Sequence, residues 1–282
     1  MTVLDESLAV SNIAWAAEDE ERVAHALRKL DVRAVEIAPT KVFEDPTRVS
    51  DEDVDAYRRW WGAFGVKIVA FQSILFNRPE LRLFGDDAAR QDLIEVSESF
   101  IELAARLGTR RIVFGSPKQR RVPDGMSNDQ AWEVAVDVFR RIGEHAGRHD
   151  VCFCIEPNPE AYECNFVTDA STGRRLVEDV DRDGFGLHLD AAGMLLAGDD
   201  PRVAIEDAGR LLRHVHISAP YLAQLDDAAV DYPATLRALS HIGYAGYVSI
   251  EMRPATDTDA VQHVTAAVET IRRSAQTVAN KP

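Results

Sequence analysis

Long hydrophobic runs are missing from this chain of 282 residues: none approaches the roughly 20 apolar residues of a membrane span. Its opening residues, with Asp5 and Glu6, carry neither the basic start nor the apolar core of a secretory leader. The expectation is a cytoplasmic protein with no membrane partner. Cysteine is scarce, and three residues, an odd number, do not suggest a disulfide framework. Cys152 and Cys154, two apart in an apolar run, read as core thiols. Basic charge is short as well. Lys and Arg number 32 against 47 Asp and Glu, and the resulting net charge of −15 repels phosphate backbones, so no nucleic-acid partner is expected. Neither a GxxxxGK[ST] loop nor a GxGxxG turn occurs, which argues against a nucleotide cofactor.

What is present suits one large core. Hydrophobic residues make up 46% of the chain, enough to bury one at this length, and nothing in the composition marks a linker. Strand-like runs alternate with helical periodicity. Leu8 to Ile13 precedes a helix over Glu18 to Leu30, and Arg33 to Ala38 precedes Asp51 to Phe64. Val66 to Gln72 and Arg111 to Phe114 are followed by helices over Asp86 to Leu107 and Asn128 to His149. Val151 to Ile155, Phe185 to Leu189, Arg213 to Ser218 and Tyr247 to Glu251 continue the series. Helices are expected over Asp169 to Val180, from near Asp199 with Pro201 in the first turn, over Asp231 to Ile242, and as a closing helix over 257–278. Eight such units predict an α/β protein, a single (β/α)8 barrel over residues 1–282. The segment 73–85 is long and apolar for a βα loop. It reads as a lid, as a loop packed on the barrel rim, or as an oligomer contact that would make a homodimer.

Strand alternation aims particular side chains into the lumen. Glu36 faces inward and needs a partner. Cys152, Cys154 and Glu156 face inward in successive layers, with Glu156 at the top, before Pro157 and Pro159 end the strand. Three further strands end in Asp190, His216 and Glu251, so the four residues are about 34, 26 and 35 positions apart, roughly one βα repeat each. The carboxyl ends of barrel strands are where such a fold keeps its chemistry. Three carboxylates and one imidazole form a hard, oxygen-rich set, which suits Mn²⁺ first, then Mg²⁺ or Co²⁺, with Zn²⁺ also compatible. His188 and His214 lie one layer deeper and read as supporting histidines.

Two glutamates beside a divalent cation can move a proton next to a carbonyl, one removing it and the other returning it, through a metal-stabilised enediolate. Here the motifs resemble a known family. Glu156 in IEPN, Asp190 in LHLD, His216 in HVHIS and Glu251 in SIEMR look like the metal-binding motifs of the sugar phosphate isomerase/epimerase superfamily. These are xylose isomerase-like TIM barrels that include the ketose 3-epimerases. The likeness spans essentially the whole chain, with SNIAW and VEIAPTK adding to it. It implies that Glu156 and Glu251 are both ligands and the acid/base pair, and that Asp190 and His216 are ligands only. Three positions depart from the ketose 3-epimerase pattern: Gly193 stands for a substrate-binding His, Leu222 for an Arg and Ala219 for an acid. The departures favour a modified sugar, a cyclitol or another hydroxycarbonyl compound.

The resulting expectation is a metal-dependent isomerase or epimerase of a small sugar-like substrate. The alternatives are a metal-dependent lyase or dehydratase acting on a keto-cyclitol or keto-glycoside, and a non-catalytic binding or partner protein on a degenerate barrel. Asn12, Glu36, Gln72, Lys118, Asn158 and Arg253, all at strand ends, are candidate substrate contacts. Lys118, Arg120 and Arg121 could grip a phosphate, but the usual barrel phosphate site after strands seven and eight lacks its glycine-rich loops, so an unphosphorylated substrate is expected.

Overall fold

The computed structural model describes residues 7–225 and 229–279. Eight strands close into a parallel barrel in chain order: β1 (Leu8–Ser11), β2 (Ala34–Ile37), β3 (Lys67–Phe71), β4 (Arg111–Phe114), β5 (Cys152–Ile155), β6 (Phe185–Asp190), β7 (Leu212–Ile217) and β8 (Val248–Ile250). Between them run α1 (Glu20–Lys29), α2 (Pro39–Val42), α3 (Asp51–Ala63), α4 (Asp87–Leu107), α5 (Asn128–Arg148), α6 (Ala170–Val180), α7 (Ala191–Ala197), α8 (Pro201–Ala208), α9 (Tyr232–His241) and α10 (Ala260–Ala279). Nearly every strand residue is buried, because helices cover the outer face and side chains fill the lumen. None of the helices among the described residues is long and apolar enough to cross a membrane.

The expected alternation is realised with local differences. β1 stops at Ser11, whose hydroxyl accepts from the Ile13 amide and turns the chain into a short 3₁₀ segment, Asn12–Ala14. α10 starts at Ala260, since the Asp259 carboxylate accepts from the Val261 and Gln262 amides. α7 was not anticipated. Asp190 caps it, and Gly198, in the left-handed region, ends it. In the segment 73–85, Ile74, Leu75, Leu81, Leu83 and Phe84 are buried, while Phe76 alone of its large apolar side chains stays out, at 65% exposure. Gln119 ties this segment down, its side chain donating to the Leu75 carbonyl at 3.2 Å and its carbonyl accepting from the Leu83 amide at 2.8 Å.

Two register shifts re-aim side chains. Glu36 pairs with Ala70 after Val35 pairs with Ile68, so Val69 is an extra residue in β3. Likewise His188 pairs with His214 after Leu187 pairs with Leu212, leaving Arg213 extra in β7. On the outside, α5 packs against the turn into β6 through glycines. A Cβ at Gly184 would press into the Gly143 carbonyl oxygen and the Gly147 amide nitrogen, both backbone atoms that cannot swing aside. Gly184→Ala is expected to cost about 3 kcal/mol of stability, read as a lower urea midpoint with an unchanged m value.

Candidate active site

Four strand ends deliver Glu156, Asp190, His216 and Glu251 to one rim of the barrel. Asp190 and His216 are directly paired across β6 and β7. The Glu251 amide donates to the Ile217 carbonyl at 3.0 Å, and the Glu156 amide to the Phe114 carbonyl at 3.1 Å, so each glutamate is tied to the end of its neighbouring strand. Gly115 makes room for one of them: a Cβ there would clash with Glu156 Oε2. Asp190 accepts from the Ala192 amide at 3.0 Å and from the Ser218 hydroxyl at both carboxylate oxygens.

His216 is held between two carboxylates. Its Nδ1 lies 3.1 Å from Glu251 Oε2, and its Nε2 lies 3.0 Å from Glu36 Oε2. The same Glu36 oxygen is 3.1 Å from His214 Nε2. Glu36, which needed a partner, thus has two, and it sits beneath the site rather than in the open mouth. His188 packs edge-on to His216 with ring centroids 4.1 Å apart, and its Nε2 lies 3.8 Å from Glu156 Oε1. His188, His214 and His216 can each offer a ligand atom within 4.8 Å of one another. The buried centre therefore has the His and carboxylate composition of a possible metal site.

The electrostatics describe a cluster short of positive charge. Burial, then the charge of Glu251, push the Glu156 carboxyl up to about 8, and the same two causes raise Asp190 to about 6. Burial disfavours the charged form of His216, but Glu36 and Glu251 on either side hold it well above the usual imidazole range. Burial would likewise raise Glu36, yet the charges of His216 and His214 keep it well below the usual carboxylate range. The donor set takes up protons where positive charge is needed. A divalent cation held by Glu156, Asp190, His216 Nδ1 and Glu251 would supply that charge instead, so the residues fit the ion the sequence implies.

The other anticipated contacts are placed unevenly. Asn12 is buried, its Oδ1 accepting from the Ala38 amide at 2.8 Å and its side chain lying against Glu20 and Tyr57. Gln72 is buried and donates to Ser11. Asn158 donates to the Glu156 carbonyl at 3.2 Å. Arg253 is exposed, and its backbone amide donates to the Leu222 carbonyl at 2.8 Å. Lys118 points to solvent near Glu163, 4.0 Å away, and Arg121 donates to the Glu163 carbonyl at 3.1 Å. Arg120 alone of this basic trio turns inward. It is fully buried, and its Nε and Nη2 have no partner. The three cations therefore do not converge into a phosphate clip.

Sequence reasoning missed Tyr162 and Tyr221, whose rings meet edge to face at 5.5 Å. The Tyr162 hydroxyl accepts from the Tyr221 amide at 3.0 Å. Burial, together with the charges of Asp190, Glu156 and Glu251, pushes Tyr162 up to about 12. The only hint in the sequence was an aromatic in each of the loops after strands five and seven.

A pH dependence follows for the protein stripped of cations. Glu156, Asp190 and His216 all have folded-state values above their ordinary ones. The stability they contribute is full at low pH and is lost as pH rises through the folded values. For Glu156 the window runs from 4.5 to about 8. Without metal, Glu156→Gln should match the wild type near the bottom of that window and exceed its Tm by about 4 °C or more at the top. Thermal melts across the window check this.

The xylose isomerase-like TIM barrel family model matches residues 24–275. L-ribulose 3-epimerase of Mesorhizobium japonicum is 27% identical over 170 residues, which cover 59% of this chain and 56% of that protein. Ketose 3-epimerase of Arthrobacter globiformis is 32% identical over 163 residues, 56% of this chain and 54% of that one. The matched segments span a little over half the length of these curated relatives. Among solved structures, one of an L-ribulose 3-epimerase superposes with a TM-score of 0.78 at 21% identity, covering 98% of this chain and 100% of the other. That of 3-keto-D-glucoside 4-epimerase from E. coli gives 0.77 at 17% identity, covering 96% and 99%. At these identities the likeness is one of fold. With the family match extending over most of the barrel, the chain belongs to the xylose isomerase-like TIM barrels.

Proposed function

We propose that this protein is a divalent-metal-dependent epimerase or isomerase of a sugar or sugar-like hydroxycarbonyl compound. The observation that carries the reading is the pair Glu156 and Glu251, on strand ends that bracket those of Asp190 and His216, gathered into one buried cluster. Relatives named as ketose and L-ribulose 3-epimerases support the substrate class.

The bound cation would polarise the substrate's carbonyl oxygen and spread the negative charge left on deprotonation. One glutamate removes the proton from the carbon beside the carbonyl. The other, reaching in from a strand three places round the barrel, delivers a proton to the opposite face and inverts that centre. Delivery to the neighbouring carbon instead gives isomerisation. His216 is kept in orientation by Glu36, and Asp190 by Ser218 and the Ala192 amide. Tyr162 and Tyr221 offer an aromatic wall for a sugar ring, and the open N–H groups of Arg120 suit a substrate oxygen. These contacts stand in for the polar groups absent at Gly193, Ala219 and Leu222.

The test is deuterium wash-in from D₂O, with Mn²⁺ supplied, across ketoses, inososes and keto-glycosides. The wild type should exchange one carbon-bound proton beside the carbonyl of its substrate. Glu156→Gln and Glu251→Gln should each lower the turnover of that substrate about 10³-fold. Wild-type turnover in either variant would rule out the paired-glutamate mechanism.

A further inference from the structure

The amino-terminal end of the barrel, opposite the candidate active site, holds a second constellation. The lumen is filled there by small side chains: Ala9, Ala34 and Val69 cluster together, with Tyr247 packed against them. A cavity of about 540 Å³ opens at this end, with Arg58, Lys67, Thr109, Arg110, Arg111 and Arg213 among its lining. No carboxylate lines it among the described residues. Of the five cations around this hollow, Lys67, Arg111 and Arg213 have no carboxylate partner among the described residues, and their mutual repulsion is relieved if an anion shares the space.

The hollow is constructed by specific local features. Arg213 is the extra residue of the β7 bulge, and such bulges re-aim side chains. Its stem passes over Gly186, where a Cβ would collide with Arg213 Cγ and lie 2.9 Å from Cys152 Sγ. Arg111 donates to the carbonyls of Arg213 and Arg110, at 3.0 and 2.8 Å, and has no carboxylate partner among the described residues. Arg58 and Arg110 do face acids, Asp55 at 2.7 Å and Asp150 at 3.5 Å. Two polar atoms are left buried without a partner: Arg213 Nε and the hydroxyl of Thr109, a residue only 1% exposed. Neither atom is open to the hollow; what the hollow itself presents is the charge of Lys67, Arg111 and Arg213, none of which has a carboxylate partner among the described residues.

We propose that this basal cavity binds a small phosphomonoester. A phosphate group carries up to two negative charges and three acceptor oxygens, which matches the guanidinium groups of Arg111 and Arg213 and the ammonium of Lys67. The volume exceeds that of inorganic phosphate and lies within the range of small-molecule sites, so an organic body fits against Tyr247 and Ile68. A nucleic acid is disfavoured, because its further phosphates would meet the acidic surface. The inference is independent of the reaction at the opposite mouth.

The test titrates inorganic phosphate and glycerol phosphate into metal-free protein, at constant ionic strength held with chloride, and follows Tm and binding heat. The wild type should be stabilised by several degrees, with saturation in the millimolar range or below. Lys67→Gln and Arg213→Gln should each weaken binding about tenfold, while cation binding at the mouth is unchanged. Lys67 has an exposed side chain, so this variant decides the matter if Arg213→Gln fails to fold. Arg120→Gln should bind phosphate like the wild type. A shift no larger than that of chloride, binding retained in both basal variants, or loss confined to Arg120→Gln would overturn the proposal.

Discussion

The candidate site depends on one buried carboxylate. Glu36 reaches Nε2 of both His214 and His216 from the second strand, and so fixes the ring of His216 with Nδ1 turned toward Glu251. A buried charge of this kind is costly unless paired and hydrogen-bonded. Here the pairing is met by two imidazoles, and the consequence is a fixed ring orientation for His216. Carboxylates that orient a ligating histidine from behind are a recurring feature of metal centres. Around this fixed point burial, and then the charge of Glu251, raise the proton affinity of Glu156 and Asp190.

The two ends of the barrel solve opposite electrostatic problems. At the mouth, carboxylates gather and call for a cation. At the base, Lys67, Arg111 and Arg213 gather and call for an anion. In the lumen between them histidines balance Glu36, and thiols and small uncharged side chains fill the layers below. Both ends rely on missing side chains: Gly115 lets Glu156 occupy its position, and Gly186 lets the Arg213 stem cross the floor.

Much of this was legible in the sequence, because a barrel strand reports its inward face by simple alternation. Glu36, Glu156, His214 and His216 were all aimed correctly by parity, and the repeat spacing brought the four strand-end residues to one rim. Parity fails where the backbone leaves the ladder. Strict alternation, with His214 and His216 inside, would put Arg213 outside, and only the bulge turns it in. Arg120 and Lys118 are two residues apart in a short 3₁₀ turn entered through Ser116 with a φ of 43°, and no periodicity says which of them is buried. α7 escaped notice because seven residues are too few for a helical pattern to emerge. Tyr162 and Tyr221 come together only through loop geometry.

The proposed reaction rests on a divalent cation held among Glu156, Asp190, His216 and Glu251. Anomalous diffraction from crystals soaked in Mn²⁺ tests it most directly. A single strong anomalous peak is expected within bonding distance of His216 Nδ1 and the three carboxylates. A peak among the rings of His188, His214 and His216 instead, or no peak at saturating Mn²⁺, would contradict it.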